Sequence, residues 1–204
     1  MNRVLCAAAF GAVLLCIPHL AYAQTKGRIG VGVGLSVYSP ADGDETIVSV
    51  SPLTRLPPKQ GWRPTIGFNW MTTKIEPGPG DQGAWKMRSR PVMVGVGYTH
   101  VMGKSAVNGT FVLGPSFNKS TLNGNGWPAG STTDAERSIA YRLGGAYNYS
   151  VTERVGVQVF AAYMFNRMDV TFHTRGIEGE PLTISRRFKG DTPIFSVSAV
   201  YSLF

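Results

Sequence analysis

The chain has 204 residues and a formal net charge of +8, with 43% hydrophobic and 16% charged residues. This charged fraction is below the ~25% that is typical of soluble domains, and the length suits one domain. The two cysteines, Cys6 and Cys16, both fall in a predicted leader, so a disulfide or a cysteine-ligated metal is excluded from the mature chain.

The N-terminus has the pattern of a secretory signal peptide. Arg3 supplies positive charge, Val4 to Leu15 is apolar, and Ala21-Tyr22-Ala23 fits a small-x-small cleavage site. We therefore predict that residues 1–23 are removed and that residues 24–204 form one exported domain. The basic balance of an exported chain favours lipid phosphate as a partner over nucleic acid.

Eight runs of alternating apolar and small or polar residues follow, and this period of two predicts β-strands with one apolar face. No run after the leader approaches the ~18 consecutive apolar residues of a membrane helix. A membrane location therefore requires a closed barrel, because only helices and closed barrels satisfy every backbone group in lipid. The predicted strands are Ile29–Tyr38, Thr46–Leu53, Trp62–Met71, Val92–Thr99, Val107–Phe117, Ser138–Ser150, Val155–Asn166 and Phe195–Leu203.

The connections between these strands alternate in length. Met102 to Ser105 and Val151 to Arg154 are short turns, whereas Thr72 to Arg90, Lys119 to Arg137 and Met168 to Lys189 read as long loops. The later part of Thr72 to Arg90 is compatible with an extension of the next strand, and the first external connection, Ser39 to Glu45, is short and fits the alternation less well. Short periplasmic turns and longer external loops are typical of outer-membrane barrels. The pattern predicts an all-β, eight-stranded antiparallel up-and-down transmembrane β-barrel.

The second face of the strands distinguishes this barrel from a soluble, lipocalin-like one. A water-facing sheet carries many charges, whereas this face is mostly Gly, Ser, Ala, Thr and Asn. Small residues suit a narrow interior, so we predict lipid outside and a polar lumen. The polar side chains expected to face the lumen are Arg63, Asn69, Asn108, Arg142, Asn148, Gln158 and Asn166.

Aromatic residues on the apolar face are predicted to form two belts at the membrane interfaces, where rings with one apolar and one wet side are stable. The periplasmic belt comprises Trp62, Tyr98, Tyr147, Tyr149 and Tyr201. The external belt comprises Trp70, Phe117, Tyr141, Tyr163, Phe165 and Phe195.

With these features the chain resembles the small outer-membrane barrel proteins of Gram-negative bacteria, the group that contains OmpA, OmpX and OmpW. The resemblance is architectural, and the hairpin from Gly145 to Val155 and the terminal Tyr201-Ser-Leu-Phe204 carry most of it. It implies an outer-membrane location and recognition of the last strand, ending in Phe204, by the barrel-assembly machinery. Phe204 is out of phase with Tyr201 and Leu203, which departs from the usual terminal pattern.

Catalysis and metal binding are not indicated. Nucleophilic hydrolysis needs a serine, a base and an orienting acid, but the mature chain has only His100 and His173 as histidines. The lipid A deacylase family places a histidine two residues before its serine, and here Met102 occupies that position after His100. We predict no catalytic residue, no metal and no cofactor, and an outer-membrane lipid hydrolase is disfavoured.

Two functional readings remain open. The first is a non-enzymatic, monomeric barrel with a structural or surface-interaction role, and the second is a narrow porin or transporter for small solutes. Arg63 and Arg142 would tune conduction in the second reading, or be paired by Glu136 or Glu153 in the first. Lipopolysaccharide phosphates are expected partners of a basic external rim, because Arg binds phosphate bidentately; the alternative is a solvated rim with no specific ligand. The rim residues are Lys86, Arg88, Arg90, Arg186, Arg187 and Lys189.

Overall fold

The computed structural model describes residues 30–42, 45–55, 59–76, 83–123, 126–176 and 179–203, with the main chain alone at 51–55. The predicted leader and Phe204 lie outside these residues, and both stay predictions. No helix in the described ranges is long and apolar enough to cross a membrane. The strands are β1 Gly30–Tyr38, β2 Ile47–Arg55, β3 Gly61–Phe68, β4 Met71–Ile75, β5 Trp85–Met102, β6 Ser105–Leu122, β7 Thr132–Ala135, β8 Ser138–Ser150, β9 Val155–Arg175, β10 Pro181–Lys189 and β11 Thr192–Ser202.

The strands form one antiparallel sheet in the order β2-β1-β11-β9-β8-β6-β5-β3. β4 continues the pairing of β3 along β5, and β10 continues that of β11 along β9, so the meander has eight strands across its width. β7 adds a short ladder on the other edge of β9. β2 and β3, which follow each other in the chain, are the two ends of the sheet, and the described residues contain no ladder between them.

Two interruptions divide the long strands where the ladder must bend. Pro91 on β5 has no N–H to donate, and β3 ends opposite it, with Asn69 N donating to Pro91 O at 3.4 Å. At the second interruption Gly190 N donates to Asn166 O at 2.8 Å, between β10 and β11. Asn69 keeps the inward phase of Gly67 and Met71 through the first break, and Asp191 is buried at the second.

Outside the breaks the period of two places apolar side chains on the outer face, as predicted. On β1, Val33 and Leu35 are 56% and 59% exposed, whereas Ser36 is 3% exposed. On β2 the weaker alternation resolves with Val48 and Val50 outward. Removing apolar surface from water is favourable by roughly 25 cal/mol per Å². The exposed apolar side chains of the outer face are therefore suited to contact with lipid rather than water.

The prediction of three long loops is wrong, because much of each of these segments forms β-strand. Met71–Ile75 and Trp85–Arg90 belong to β4 and β5, and residues beyond Phe117 continue β6 and add β7. The hairpin β9–β10 stays paired as far as Arg175 and Pro181. In these segments the outward side chains are charged, so the outward face loses its apolar residues. The inward side chains still recur at every second position. The sheet therefore projects beyond the external aromatic residues.

The predicted polar lumen is wrong for the external half of the barrel, where two apolar clusters fill the interior. The outer cluster contains Met71, Ile75, Trp85, Met87, Met168, Val170, Phe172 and Phe188. The second, nearer the middle, contains Tyr38, Met93, Val112, Ala140, Met164 and Ile194. Thioether side chains are adaptable enough to fill an irregular interior, and Met does so at five of these positions.

Candidate functional site

A polar network crosses the barrel interior between these two clusters. Asn166 on β9 donates from Nδ2 to Ser89 Oγ at 2.7 Å and to Ser116 Oγ at 3.1 Å. Its Oδ1 accepts from Ser138 Oγ at 2.6 Å. Asn118 extends the network through Ser116 and Ser138. Because β9 and β5 are separated by two strands in the sheet, the bond to Ser89 spans the lumen.

Contacts with β3 and β4 cross the interior at the same depth. Asn69 Nδ2 lies 3.5 Å from Met164 Sδ on β9, and Thr192 Oγ1 on β11 lies 4.0 Å from Met71 Sδ. These pairs join one end of the sheet to strands near its middle and its other end. Side chains of the β3–β4 segment therefore contact β9 and β11 across a common core.

An aromatic group occupies the external mouth of the lumen. Trp85, 1% exposed, makes edge contacts with Phe172 at 5.3 Å and Phe188 at 5.7 Å between ring centroids. Trp127, from the connection before β7, stacks on Phe172 at 5.2 Å and donates from Nε1 to Ala84 O at 2.9 Å. These contacts cover the interior from the external side.

The periplasmic half of the interior contains two arginines. Arg142 on β8 has its guanidinium carbon 5.5 Å from the ring centre of Phe160 on β9. Arg63 on β3 is two residues before Thr65, so the two share one face of the strand. Thr65 pairs with Gly95 on β5, Gly95 with Val112 on β6, and Val112 with Arg142 on β8. Glu136 and Glu153, the acids proposed to pair with them, are both exposed, at opposite ends of β8.

The seven side chains predicted to face the lumen all lie on the inward phase. Six of them are in strands, and Asn69 lies in the break after β3. The structure divides them by depth. Asn166 and Asn69 lie in the middle of the interior together with Ser89, Ser116, Met93 and Met164, which we call the central layer. Arg63, Asn108, Arg142, Asn148 and Gln158 lie in the periplasmic half, where Asn108 Nδ2 donates to Thr99 Oγ1 at 3.3 Å.

A basic patch covers the external ends of β4, β5 and β6 on the outward face. Along β5 the outward residues change from Val92 to Arg90 and then continue as Arg88 and Lys86. Arg88 lies directly opposite Lys119 on β6, and Lys86 directly opposite Lys74 on β4. Like charges directly opposite each other destabilise an antiparallel ladder. We refer to Lys86, Arg88, Arg90, Lys119 and Arg137 as the basic face.

Two members of the basic face rest on aromatic rings of the external belt. The guanidinium carbon of Arg90 is 5.9 Å from the ring centre of Trp70, and that of Arg137 is 5.5 Å from the ring centre of Phe117. Phe117 is also the ladder partner of Arg90. Such cation–π contacts hold the charges at the boundary between apolar rings and water.

The hairpin part of the predicted rim is a separate site. Arg187 donates from Nε and Nη2 to the two carboxylate oxygens of Asp169, at 2.9 and 3.1 Å. These hydrogen bonds hold the pKa of Asp169 below its ordinary value and raise the pKa of Arg187. Lys189 donates its backbone N–H to Asp42 Oδ2 at 2.8 Å. Because Arg187 is already paired, it is less available to an external anion.

The predicted belt residues lie outward, and most are well exposed, including Trp62 at 73% and Trp70 at 79%. Tyr147 is only partly exposed, and its hydroxyl lies 2.9 Å from Ser105 Oγ at the periplasmic turn. The rings also meet one another: Trp62 contacts Tyr98 at 5.3 Å, and Tyr141 stacks on Phe165 at 4.6 Å.

The two histidines are separated and exposed. His100 Nδ1 lies 3.1 Å from Gln60 Nε2, and His173 Nδ1 lies 3.3 Å from Thr183 Oγ1 on the external hairpin. His173 is therefore in a strand, not in the predicted loop. The described ranges hold no group of three or more His, Cys, Asp or Glu that would suit a metal ion.

Sequence reasoning missed several of the residues that these sites use. Ser89 fell in a predicted loop, and Ser116 was not recognised as a partner of Asn166. The inward alternation of Trp85, Met87, Ser89 and Pro91 was the available signal for the first. Lys119 and Arg137 were not predicted to belong to the basic face. The structure places Lys119 beside Arg88 and Arg137 over Phe117.

Comparisons with known proteins agree with this architecture. No family model matches the chain, and no curated protein matches it significantly. The crystal structure of the outer membrane protein OprG from Pseudomonas aeruginosa is similar, with a TM-score of 0.69 at 12% identity, covering 87% of this chain and 96% of OprG. Outer membrane protein AlkL, solved in DMPC bilayers, gives a TM-score of 0.51 at 13% identity, covering 92% of this chain and 95% of AlkL. The predicted fold class is confirmed: the chain is an eight-stranded antiparallel β-barrel of the outer-membrane type.

Proposed function

We propose that this protein is an integral outer-membrane barrel that stabilises the membrane or presents a surface, and that it is monomeric and non-enzymatic. The observation that carries this proposal is the crossed interior. Asn166 and Ser116, together with Met93 and Met164, are 0% exposed, and Ser89 is 0% exposed on the opposite wall. A barrel of about eight strands normally has its interior filled by side chains, and these fully buried side chains support an interior that is filled at its middle.

Planar-bilayer recording of refolded protein tests this function against the narrow porin. The wild-type barrel is expected to give no stepwise conductance. A Met93→Ala, Met164→Ala variant, which empties part of the central layer, serves as the comparison for an opened interior. Uniform conductance steps from the wild-type protein would contradict the proposal and support a solute pathway.

The outer leaflet supplies the partner in this proposal. The basic face begins where the outward valines of β5 end, at the level of lipid headgroups, and two of its arginines rest on belt aromatics. Arg88 and Lys119 repel each other across the ladder, and an anion between them removes that repulsion. Phosphate accepts hydrogen bonds from both side chains, so phosphates of lipopolysaccharide are the proposed ligands.

Two double variants with equal loss of charge test this partner. Arg88→Gln, Lys119→Gln removes the opposed pair, whereas Arg186→Gln, Arg187→Gln removes two cations from the external hairpin. The first is expected to lower the lipopolysaccharide retained by the purified barrel severalfold, and the second to leave most of it bound. If only the hairpin variant lost lipopolysaccharide, the binding site would lie on the external hairpin instead. Equal retention of dephosphorylated lipopolysaccharide would exclude phosphate as the recognised group.

A further inference from the structure

Two arginines of the basic face share one aromatic ring. Arg90 on β5 is the ladder partner of Phe117 on β6, and the guanidinium carbon of Arg137 lies 5.5 Å from the centre of the same ring. Trp70 lies on the other side of Arg90, with 5.9 Å between the ring centre and the guanidinium carbon. This row of outward side chains therefore alternates rings and cations. A guanidinium that rests on a ring keeps N–H donors at its edge, so both arginines can bind an anion.

A second row of outward cations lies immediately above the first. Arg88 and Lys119 are ladder partners, two residues beyond Arg90 and Phe117 on their strands. Rows two residues apart are separated by about 7 Å, and neighbouring strands by about 5 Å. The backbone positions of the four cations therefore fall within an area of about 7 by 10 Å. We refer to Arg88 and Lys119 as the upper pair and to Arg90 and Arg137 as the lower pair.

The four charges are not balanced by protein carboxylates. Within the described ranges none of the four forms an ion pair, whereas Lys74 on the neighbouring strand β4 is paired with Glu76. A phosphomonoester carries about −1.5 to −2 charge at neutral pH, so one such group balances two cations. The four cations therefore match a ligand with two phosphomonoesters. The single phosphodiester of an ordinary phospholipid would leave most of this charge unbalanced.

The surface below the lower pair is apolar. Val92 is the next outward residue after Arg90 on β5, and its ladder partner is Phe68 on β3. Ile139 is the next outward residue after Arg137 on β8, and all three apolar side chains are exposed. Removal of such surface from water favours contact with acyl chains. The ligand that fits both surfaces is an amphiphile with its phosphates directly above its chains.

We propose that the basic face binds a glycolipid of the outer leaflet through two phosphate groups, one at the upper pair and one at the lower pair. Each phosphate accepts charge-assisted hydrogen bonds from the two cations of its pair, and the acyl chains lie on the apolar surface below. The two rings hold the arginines of the lower pair at the boundary between chains and headgroup. This inference rests on the proposed lipopolysaccharide contact, and it adds the number of phosphates that are recognised and the residues that take each one.

Titration calorimetry with two forms of lipid A, the anchor of lipopolysaccharide, tests the inference. Diphosphorylated and monophosphorylated lipid A are each titrated into the refolded full-length barrel in mixed micelles of an uncharged detergent. The wild type is expected to bind the diphosphorylated form about tenfold more tightly or more, because the second phosphate adds a set of charge-assisted hydrogen bonds. Phosphatidylglycerol, with a single phosphodiester, should bind more weakly than either form.

Two double variants separate the pairs. Arg88→Gln, Lys119→Gln leaves only the lower pair, and Arg90→Gln, Arg137→Gln leaves only the upper pair. Each variant is expected to lose the preference for the diphosphorylated form, with a ratio of the two affinities of about two or less, because only one phosphate still has its cations. All four side chains are exposed, and heat-dependent gel mobility verifies that each variant is folded.

Arg186→Gln, Arg187→Gln on the external hairpin is the matched control, because it also removes two cations, and it should keep the preference of the wild type. Equal affinity of the wild type for both forms would overturn the recognition of two phosphates and leave the lipopolysaccharide contact standing. Binding of neither form would overturn both. A preference that is lost in the control as well, or that survives removal of either pair, would overturn the assignment of one phosphate to each pair.

Discussion

Asn166 on β9 and Ser89 on β5 are 77 residues apart, yet their side chains meet inside the barrel, where Asn166 Nδ2 donates to Ser89 Oγ at 2.7 Å. Both side chains are 0% exposed, so neither group has water as an alternative partner. The bond ties opposite parts of the sheet together and forms the centre of the layer that closes the lumen.

Replacement of Asn166 by alanine is expected to destabilise the folded barrel by about 1–3 kcal/mol, because Ser89, Ser116 and Ser138 lose a buried partner. Urea unfolding in micelles, followed by tryptophan fluorescence, measures the change. Asn123→Ala, at an exposed residue beyond β6, is the control and should change stability little. Equal stability of the Asn166 variant would show that the network contributes nothing to the fold.

Reversing one of the two opposed charges of the basic face is expected to raise the stability of the barrel and to weaken its binding of lipopolysaccharide. Lys119→Glu converts the pair with Arg88 into an attractive one, and is expected to stabilise the barrel by about 0.2–1 kcal/mol in lipopolysaccharide-free micelles at low salt. The same change should weaken lipopolysaccharide binding. Lys119→Gln should bind lipopolysaccharide at an intermediate level. A variant that lost both stability and binding would indicate that Lys119 acts structurally rather than through phosphate.

Gly95 and Gly109 make a matched pair on adjacent strands β5 and β6. A Cβ at Gly95 would overlap the backbone carbonyl oxygen of Phe111, whereas a Cβ at Gly109 would have nothing within 4 Å. Gly95→Ala is therefore expected to cost about 1–3 kcal/mol by forcing the strands apart, and Gly109→Ala to be tolerated. Refolding yield and urea midpoint distinguish them, and similar values for both variants would contradict the close approach at Gly95.

The external hairpin should respond to acid through Asp169. Arg187 donates two hydrogen bonds to this carboxylate and lowers its pKa from the ordinary 3.8. Because the pKa of Asp169 is lower in the folded state, the ion pair stabilises the hairpin at pH values above the ordinary pKa. This stabilisation is lost as the pH falls through the lower, folded-state pKa. Carboxyl NMR titration measures the pKa directly.

Arg187→Gln should return the pKa of Asp169 toward 3.8, while Arg186→Gln should leave it low, because Arg186 lies on the opposite face of β10. Titration curves that do not differ between the two variants would mean that the ion pair does not form in solution.

The sequence predicted most of the fold because the signal for a barrel strand is local. Alternation with period two was sufficient to place eight strands, to assign their outward face and to locate the turns at Met102–Ser105 and Val151–Arg154. It failed beyond the membrane, in Thr72–Arg90 and Met168–Lys189, where the outward residues become charged and the pattern reads as a loop. There the inward residues alone carried the strand signal.

The candidate sites were only partly predictable. The sequence placed Arg142 and Asn166 on the inward phase, but it could not show that one meets Phe160 and the other meets Ser89. It grouped Arg88 with Arg187, although the structure places Arg88 opposite Lys119 and pairs Arg187 with Asp169. Composition identifies a basic residue, but its register determines whether its neighbour is an acid or another base.

The sequence by itself determined which face of each strand meets lipid and in what order the strands follow one another, because both depend on residues two positions apart. Tertiary structure alone decided which side chains fill the described part of the lumen and which groups Arg142 contacts there. Those contacts depend on the stagger and tilt of the strands around the barrel, which bring Asn166 to Ser89 across the interior and leave Arg142 beside Phe160 on the periplasmic side.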